Sequence, residues 1–238
     1  MRENLAIKSV AFFENSSNVN ALAYYGPLEI KLIQQFFNEN DFSVLPTTPN
    51  IAVPGSFVQP IISYQSKDST LLYFVFQDRV EVWANIFEET HISSDQNVNL
   101  LNDRCITGVC RFIKHMGVGV IRISLLNDFF IASDDKNPLK PLLKHRFFEE
   151  TPISEFNMRF NQQISDAKGF DRTINQVTTI AQATGTKNDI NNPIEGVLLR
   201  QDVNTFSTGK PLNTLNLESN FDFFKSLIVK KLNNYPIE

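Results

Sequence analysis

Few residues of this sequence have the types and spacing that catalysis or metal binding would need. Its two cysteines, Cys105 and Cys110, are five residues apart in a helical pattern, which separates them by about 140° around the helix axis. The histidines His91, His115 and His145 are far apart, and neither HxxxH nor CxxC spacing occurs. A structural zinc site needs four ligands that converge. We therefore expect two reduced cysteines, no metal site and no bound cofactor.

Motifs of nucleophilic and nucleotide-dependent enzymes are missing as well. The chain contains no GxSxG elbow, no P-loop and no GxGxxG segment, so it lacks the turns that expose a catalytic serine or cradle a phosphate. A dyad of Cys110 and His115 would be poorly aligned on one continuous helix. The acidic pairs at 88–89, 134–135 and 149–150 are placed like solvated loop charges. The sequence leans against an enzyme without excluding one.

One aromatic residue and a row of amides give the best indication of a binding surface. Trp83 lies on the polar side of a predicted strand, and tryptophan is enriched among the residues that dominate protein interfaces. A second strand, 153–164, alternates apolar and polar side chains, and its polar row includes Asn157, Arg159 and Asn161. These four residues are candidate contacts for a protein partner or a ligand. The same polar row would also suit a strand that faces solvent or lines a polar groove.

Basic side chains on two predicted helices form a second candidate site, for phosphate contact. Arg104, Arg111 and Lys114 lie opposite or beside the apolar stripe of one helix, and Lys140 and Lys144 line a face of the next. Binding to nucleic-acid phosphates would require these charges on one side of the fold. Two separate solvated helix faces would have the same composition.

The elements that must position these residues follow from hydrophobic periodicity. The clearest helix covers 97–116, where apolar residues recur every three or four positions and Gly117 provides a stop. Other helices are predicted to begin at Pro27, at Pro138 and, with a capping serine, at Ser219. The predicted strands are 5–13, 51–64, 71–76, 80–86, 118–131 (where Asn127 and Asp128 could break the strand), 153–164, 170–184 and 196–203.

The order of these elements repeats along the chain. Residues 1–117 and residues 118–238 each read strand, helix, three strands, helix. This order predicts an α+β fold of two related sheet-and-helix modules. The sheets should be mainly antiparallel, because the later strands are joined by short connections. A single compact α+β domain with the same elements is the alternative.

Composition limits the classes of protein that fit. The 238 residues include 22 Lys and Arg against 26 Asp and Glu, so the formal net charge is -4. A dedicated nucleic-acid binder would be strongly basic, so nucleic acid is an unlikely partner. No apolar run approaches the length of about 18 residues that predicts a membrane helix, and no signal peptide is recognisable. We therefore expect a cytoplasmic protein without membrane contact.

The layout of the whole chain resembles one known group. The segment 196–203 (GVLLRQDV) precedes a last amphipathic helix, and this order is similar to that of a scattered family of uncharacterised bacterial proteins of similar length. No activity is established for that family. The resemblance therefore implies an intracellular bacterial protein and does not indicate a reaction.

Together these observations favour a non-catalytic interaction or regulatory protein. It would bind an unknown protein partner through an exposed aromatic and amide-rich sheet surface. A homodimer is a further expectation, since twofold dimers are the commonest oligomers. The alternatives are a small-ligand-binding protein with a pocket between the two modules, or nucleic-acid contact through the basic helix faces.

Overall fold

The computed structural model describes residues 2–14, 27–40, 42–44, 60, 62–76, 78–84, 95–132, 157–165, 172–185, 194–206, 208 and 210–233. Their mixture of helices and antiparallel strands confirms the predicted α+β class. In chain order the elements are β1 (Arg2–Phe13), α1 (Pro27–Glu39), β2 (Phe42–Val44), β3 (Ile62–Ser66), β4 (Leu71–Val75), β5 (Arg79–Ala84), α2 (Asp95–Met116), β6 (Val120–Ala132), β7 (Asn157–Ile164), β8 (Ile174–Gly185), β9 (Ile194–Thr205) and α3 (Leu217–Asn233), with a 3-10 turn at Thr214–Asn216 before α3.

The nine described strands form one sheet in the order β2-β3-β4-β5-β1-β6-β9-β8-β7, and every neighbouring pair is antiparallel. β1 and β6 pair at the centre, from Arg2 opposite Ile131 to Phe13 opposite Val120. Residues 1–117 and 118–238 therefore contribute strands to one continuous sheet. Outward from this centre, β5, β4 and β3 on one side correspond in order to β9, β8 and β7 on the other.

The α2 helix covers the sheet near its centre. Its predicted apolar stripe is buried, with Cys105, Val109 and Phe112 no more than 1% exposed, and α2 packs on β1 and β5. Gly117 ends the helix as predicted. Its φ of 63° lies in the left-handed region that favours glycine, and its N–H donates to the carbonyl of Ile113 at 3.0 Å.

An aromatic cluster fills the space between α1, α2 and the strands β3 and β4. Phe37 stacks on Tyr64 with ring centres 3.8 Å apart, and Phe36 meets Phe112 edge-on at 5.3 Å. Tyr73 is 2% exposed in the same cluster. Such ring pairs add about 0.5–1.5 kcal/mol beyond the burial of their area. The phenylalanines therefore form the core of this end of the sheet.

The start of α3 corrects one prediction. The helix begins at Leu217, so Ser219 is inside its first turn and is not the capping residue. The side-chain oxygen of Asn213 accepts a hydrogen bond from the N–H of Leu215 at 3.0 Å, at the start of the 3-10 turn that precedes α3. The Ser219 hydroxyl instead donates to the carbonyl of Asn216 at 2.9 Å. Phe221, Phe224 and Ile228 are buried on one face of the helix.

The strand boundaries bring two further corrections. β6 runs through Asn127 and Asp128 without the expected break, because these residues lie opposite Gln201 and Arg200 of β9. Four strands rather than three separate α1 from α2, since β2 pairs with β3. The strand predicted over 51–64 is described only as β3, from Ile62 onward. The helix predicted to begin at Pro138, and with it Lys140 and Lys144, lies outside the described residues.

Candidate functional site

The predicted row of polar residues lies on β7, the outermost described strand on its side of the sheet. β7 pairs with β8 from Asn157 opposite Ala181 to Ile164 opposite Ile174. Asn157, Arg159 and Asn161 are all exposed, and alternate spacing places them on one face. The structure therefore brings together three of the four residues predicted to contact a partner.

The apolar row of β7 differs from a half-buried strand. Phe160 is 50% exposed, although alternation would place it against a core. The reason is the position of the helices, because α2 and α3 lie mainly over β1, β5, β6 and β9. Both faces of β7 are therefore accessible over most of its length.

The outer edge of β7 is also unusual for an edge strand. A strand at the border of a sheet presents N–H and C=O groups that no neighbour binds, and proteins usually protect such edges with lysine, proline, bulges or short length. β7 is 8 residues long and contains neither lysine nor proline. Its only charged residue is Arg159. No other described strand pairs with this edge, which therefore retains the capacity to pair with another strand.

Trp83, the fourth predicted contact, is not an exposed aromatic residue. It is partly buried, and its indole N–H donates to Glu81 at 2.9 Å. The Lys8 ammonium lies 4.5 Å from the indole ring centre, and Phe74 meets the ring edge-on at 5.8 Å. The register explains this arrangement, because Lys8 lies directly opposite Trp83. Internal contacts therefore account for the position of Trp83 among polar neighbours.

Glu81 is the centre of this charged cluster. It is 3% exposed and accepts hydrogen bonds from Lys8 Nζ at 3.1 Å and Arg79 Nε at 2.7 Å, besides the one from Trp83. Burial alone would raise the pKa of Glu81. The nearby Lys8 charge and the three hydrogen bonds outweigh burial and hold the pKa below its ordinary value. Glu81 is therefore an ionised structural residue.

Two of the five predicted phosphate contacts share one cavity. Arg104 and Arg111 both line a cavity of about 450 Å³ between α1, α2 and the hairpin of β3 and β4. Their neighbours in its wall include the rings of Phe36, Phe42 and Tyr73. The i, i+7 spacing on α2 places the two arginines on one face of the helix.

Lys114 lies in a different place. It lines a second cavity, of about 620 Å³, between the end of α2 and the start of α3, together with Leu212, Leu217 and Glu218. This cavity is located where the two predicted modules meet, but its described lining does not include β7. The described basic residues therefore do not form one continuous phosphate-binding row.

The cysteines have the structural environment that the sequence suggests. Both are free thiols, and Cys105 is buried. Burial, with smaller contributions from Glu218 and Asp222, raises the pKa of Cys110 to about 12, and burial also raises the pKa of Cys105. Thiols that remain protonated are poor nucleophiles. Within the described ranges, no group of three His, Cys, Asp or Glu side chains is arranged to hold a metal ion.

A buried row of polar side chains was missed by the sequence reasoning. Asn127 lies opposite Gln201, and Gln201 lies opposite Thr178. All three are at most 2% exposed. Thr178 donates to the Gln201 side-chain oxygen at 3.3 Å. Within the described part of the chain, both polar atoms of the Asn127 amide lack a hydrogen-bond partner. The sequence does contain a signal for this row, because Asn127 is two residues from each of the core residues Leu125 and Phe129 and therefore lies on the same face of β6.

No protein-family model matches this chain, and no curated protein matches it either. Among the residues with described structure, no helix has the length and apolar content needed to cross a bilayer.

Proposed function

We propose that this is a non-catalytic interaction protein that binds an extended segment of a partner protein along β7. The observation that carries the proposal is the accessible, almost uncharged outer edge of that strand. An added strand gains affinity from main-chain hydrogen bonds, and its alternate side chains provide specificity. Trp83 has no role in this binding, because its side chain already contacts Glu81, Lys8 and Phe74.

The side chains of β7 define the chemistry of the partner segment. Residues directly opposite each other in an antiparallel pair share a face, and opposite charges or apolar pairs between them are favourable. A partner strand should therefore place an acidic residue near Arg159 and an apolar residue near Phe160. Asn157 and Asn161 lie on the same face of β7 as Arg159, so the partner strand should place polar side chains opposite them. The expected partner segment therefore alternates polar or acidic residues with apolar residues and contains few basic residues.

A proline scan of β7 tests this mode of binding. The probe is a phage-displayed library of random peptides selected on the full chain. Single proline variants would replace Arg159, Phe160, Asn161 and Gln162. Alternate residues of a strand direct their N–H groups to opposite neighbours. The variants therefore form two pairs, 159 with 161 and 160 with 162. Proline at the pair whose N–H groups point away from β8 should abolish binding of the selected peptides with little change in Tm. Proline at the pair whose N–H groups point toward β8 should lower Tm.

A charge reversal provides the matched specificity control. Arg159→Glu should shift the selected peptides from acidic to basic residues at one position, because only the charge of the edge changes. Peptide binding that survives all four proline variants would refute the proposal. Failure of the library to yield any peptide above a blank selection would also refute it.

The expected homodimer takes a specific form on the same edge, in which two copies pair their β7 strands antiparallel. With Phe160 at the twofold axis, Arg159 of one copy would lie opposite Asn161 of the other, so like charges would not meet directly. Sedimentation equilibrium should then detect a dimer that Phe160→Lys dissociates. If the protein is a monomer at all concentrations, the homodimer is wrong and β7 would bind only strands of other proteins.

Three other expectations remain predictions. A duplicated strand, helix, strands and helix unit is supported by the corresponding strand order on the two sides of the β1 and β6 pair. The cytoplasmic location rests on the sequence alone. Nucleic-acid contact is the least supported alternative, because Arg104 and Arg111 line a different cavity from Lys114.

A further inference from the structure

We propose that the cavity between α1, α2 and the β3–β4 hairpin binds a small organic anion. The charged group of this ligand would be held by Arg104 and Arg111, and its flat apolar body would pack on the aromatic wall. The site is independent of β7 and therefore of the proposed protein partner.

Two exposed arginines are the first observation. Arg104 and Arg111 are exposed, and within the described part of the chain neither guanidinium makes a hydrogen bond or an ion pair. Two helical turns separate them, which is about 10 Å along the axis. Arginine presents a planar fork of donors that matches carboxylate and phosphate groups. The two side chains can therefore approach one anionic group from opposite sides.

The acids in the same wall already have partners. The Oδ1 atom of Asp68 accepts hydrogen bonds from Ser66 Oγ at 2.6 Å, from Thr70 Oγ1 at 2.8 Å and from the Thr70 N–H at 3.1 Å. The Ser66 bond is the largest cause that lowers the pKa of Asp68. Asp103 pairs with Lys225 of α3. These contacts reduce the competition of the two carboxylates for the arginines, although the Arg104 charge also contributes to the lowered pKa of Asp68.

Another part of the wall is aromatic. Phe42 and Tyr73 meet edge-on with ring centres 4.9 Å apart, and Phe36 lies 6.2 Å from Tyr73. Gly108 permits the close approach of this wall to α2, because a Cβ atom at that position would lie 2.4 Å from the Tyr73 hydroxyl oxygen. Glycine at this position, between the two arginines, therefore lets the Tyr73 side chain pack closely against α2.

The volume of the cavity sets the size of the ligand. About 450 Å³ falls within the range of roughly 300–1,000 Å³ that small-molecule sites occupy. Apolar walls with a few polar groups at fixed positions are typical of such sites. The shared ligand chemistry is an aromatic or similarly flat group that carries a carboxylate or phosphate.

Titration of the full chain with small probes tests the site. The probes are phenyl phosphate and benzoate, with phenol and inorganic phosphate as controls that lack either the charge or the ring. Binding is followed by amide chemical shifts, which should change most at Thr107 and Gly108. We expect an aromatic anion to bind more tightly than either control. The tighter of the two anions identifies phosphate or carboxylate as the charged group.

Matched variants locate the binding energy. Arg104→Gln and Arg111→Gln should each weaken the better probe about tenfold or more, as expected for the loss of a charge-assisted hydrogen bond. Phe42→Ala should weaken phenyl phosphate but not inorganic phosphate. Lys114→Gln, on the same helix but in the other cavity, should have no effect. Circular dichroism would verify that each variant is folded.

Two results would overturn the site. One is equal affinity of the wild type and the Arg104→Gln/Arg111→Gln double variant for the aromatic anions. The other is the absence of any shift at Gly108 with probes up to roughly 10 mM, beyond the range expected for small ligands of a true site. Neither result affects the peptide selection on β7, so the two proposals can fail separately.

Discussion

The two sides of the sheet differ in how closely other elements cover them. On β3 and β4, Tyr64 and Tyr73 are no more than 2% exposed beneath α1 and α2. On β7, at the other border, Phe160 has the same alternation of apolar and polar neighbours but remains 50% exposed. Alternation therefore identifies the apolar face of a strand, whereas the position of the helices decides whether that face is buried.

This difference also separates two kinds of function. Packing of the β3–β4 hairpin against α1 and α2 leaves a cavity of about 450 Å³ with aromatic side chains in its wall, which suits a small ligand. An uncovered strand presents main-chain groups and suits another strand. Changes to the covered side should therefore alter stability strongly, and changes to β7 should alter binding with little effect on stability.

The largest effect should come from truncating matched phenylalanines on the two sides. Phe37→Ala removes a fully buried ring that stacks on Tyr64 at 3.8 Å and should reduce the free energy of unfolding by about 3–5 kcal/mol. Phe160→Ala should change it by less than about 0.5 kcal/mol. Urea unfolding measures both. Similar losses for the two variants would contradict the comparison.

The next largest effect concerns Glu81, at the centre of the charged cluster beside β1. Glu81→Gln leaves Lys8 and Arg79 without their carboxylate and should cost about 3 kcal/mol. Asp78→Asn is the control, because Asp78 also pairs with Arg79, at 3.0 Å, but its side chain is 49% exposed. Exposed pairs contribute at most about 1 kcal/mol. Equal losses in the two variants would show that burial is unimportant here.

The pH dependence of stability sharpens the same test. The folded pKa of Glu81 is lowered, so the unfolded chain takes up the proton first as the pH falls. Its contribution is fully present above the unfolded pKa and is lost as the pH falls through the folded pKa. The wild type should therefore lose more stability on acidification than Glu81→Gln. Parallel stability curves for the two proteins would be inconsistent with this assignment.

A smaller effect is expected at Gly108, on the covered side. Alanine in place of glycine inside a helix normally stabilises it by about 1 kcal/mol. Here the added Cβ would lie 2.4 Å from the Tyr73 hydroxyl oxygen, so Gly108→Ala should destabilise by about 1–3 kcal/mol. Combination with Tyr73→Phe should recover part of the loss. Thermal unfolding of the four proteins in this cycle measures the coupling, and a purely additive result would disprove the contact.

The smallest effect should be a gain in stability at Asn127, between the covered and uncovered regions. Both polar atoms of its amide are buried and have no hydrogen-bond partner among the described residues. Asn127→Leu should therefore raise the free energy of unfolding by about 1 kcal/mol, because an unsatisfied buried amide costs desolvation energy. Asn204→Leu is a suitable control, since the Asn204 side chain accepts a hydrogen bond from Asn175 at 3.3 Å. A loss at Asn127 would indicate a partner for this amide.

The sequence predicted the features that local spacing determines. The buried stripe of α2 and its end at Gly117 follow from positions three and four residues apart, and the shared face of Arg104 and Arg111 follows in the same way. The role of Trp83 could not be predicted locally. It depends on Lys8, which lies on a distant strand and comes opposite Trp83 only through the register of β1 and β5.

The cavity beside Arg104 illustrates the same limit. Its arginines are visible in the sequence, but its walls combine α1, α2 and the β3–β4 hairpin. The exposure of Phe160 likewise depends on helices that are remote in sequence. Non-local packing, rather than weak local signals, accounts for what sequence reasoning missed.

The central pairing of β1 with β6 has a consequence for how the chain folds. Arg2 pairs with Ile131, so β1 cannot pair with β6 until the residues of β6, more than a hundred positions later, have been synthesised. At roughly 5–20 residues per second this delay lasts several seconds or more. Pairings between such distant segments slow folding and prolong the time during which the unpaired edge of β1 is exposed to aggregation. The protein should therefore depend on chaperones during synthesis more than its stability alone would suggest.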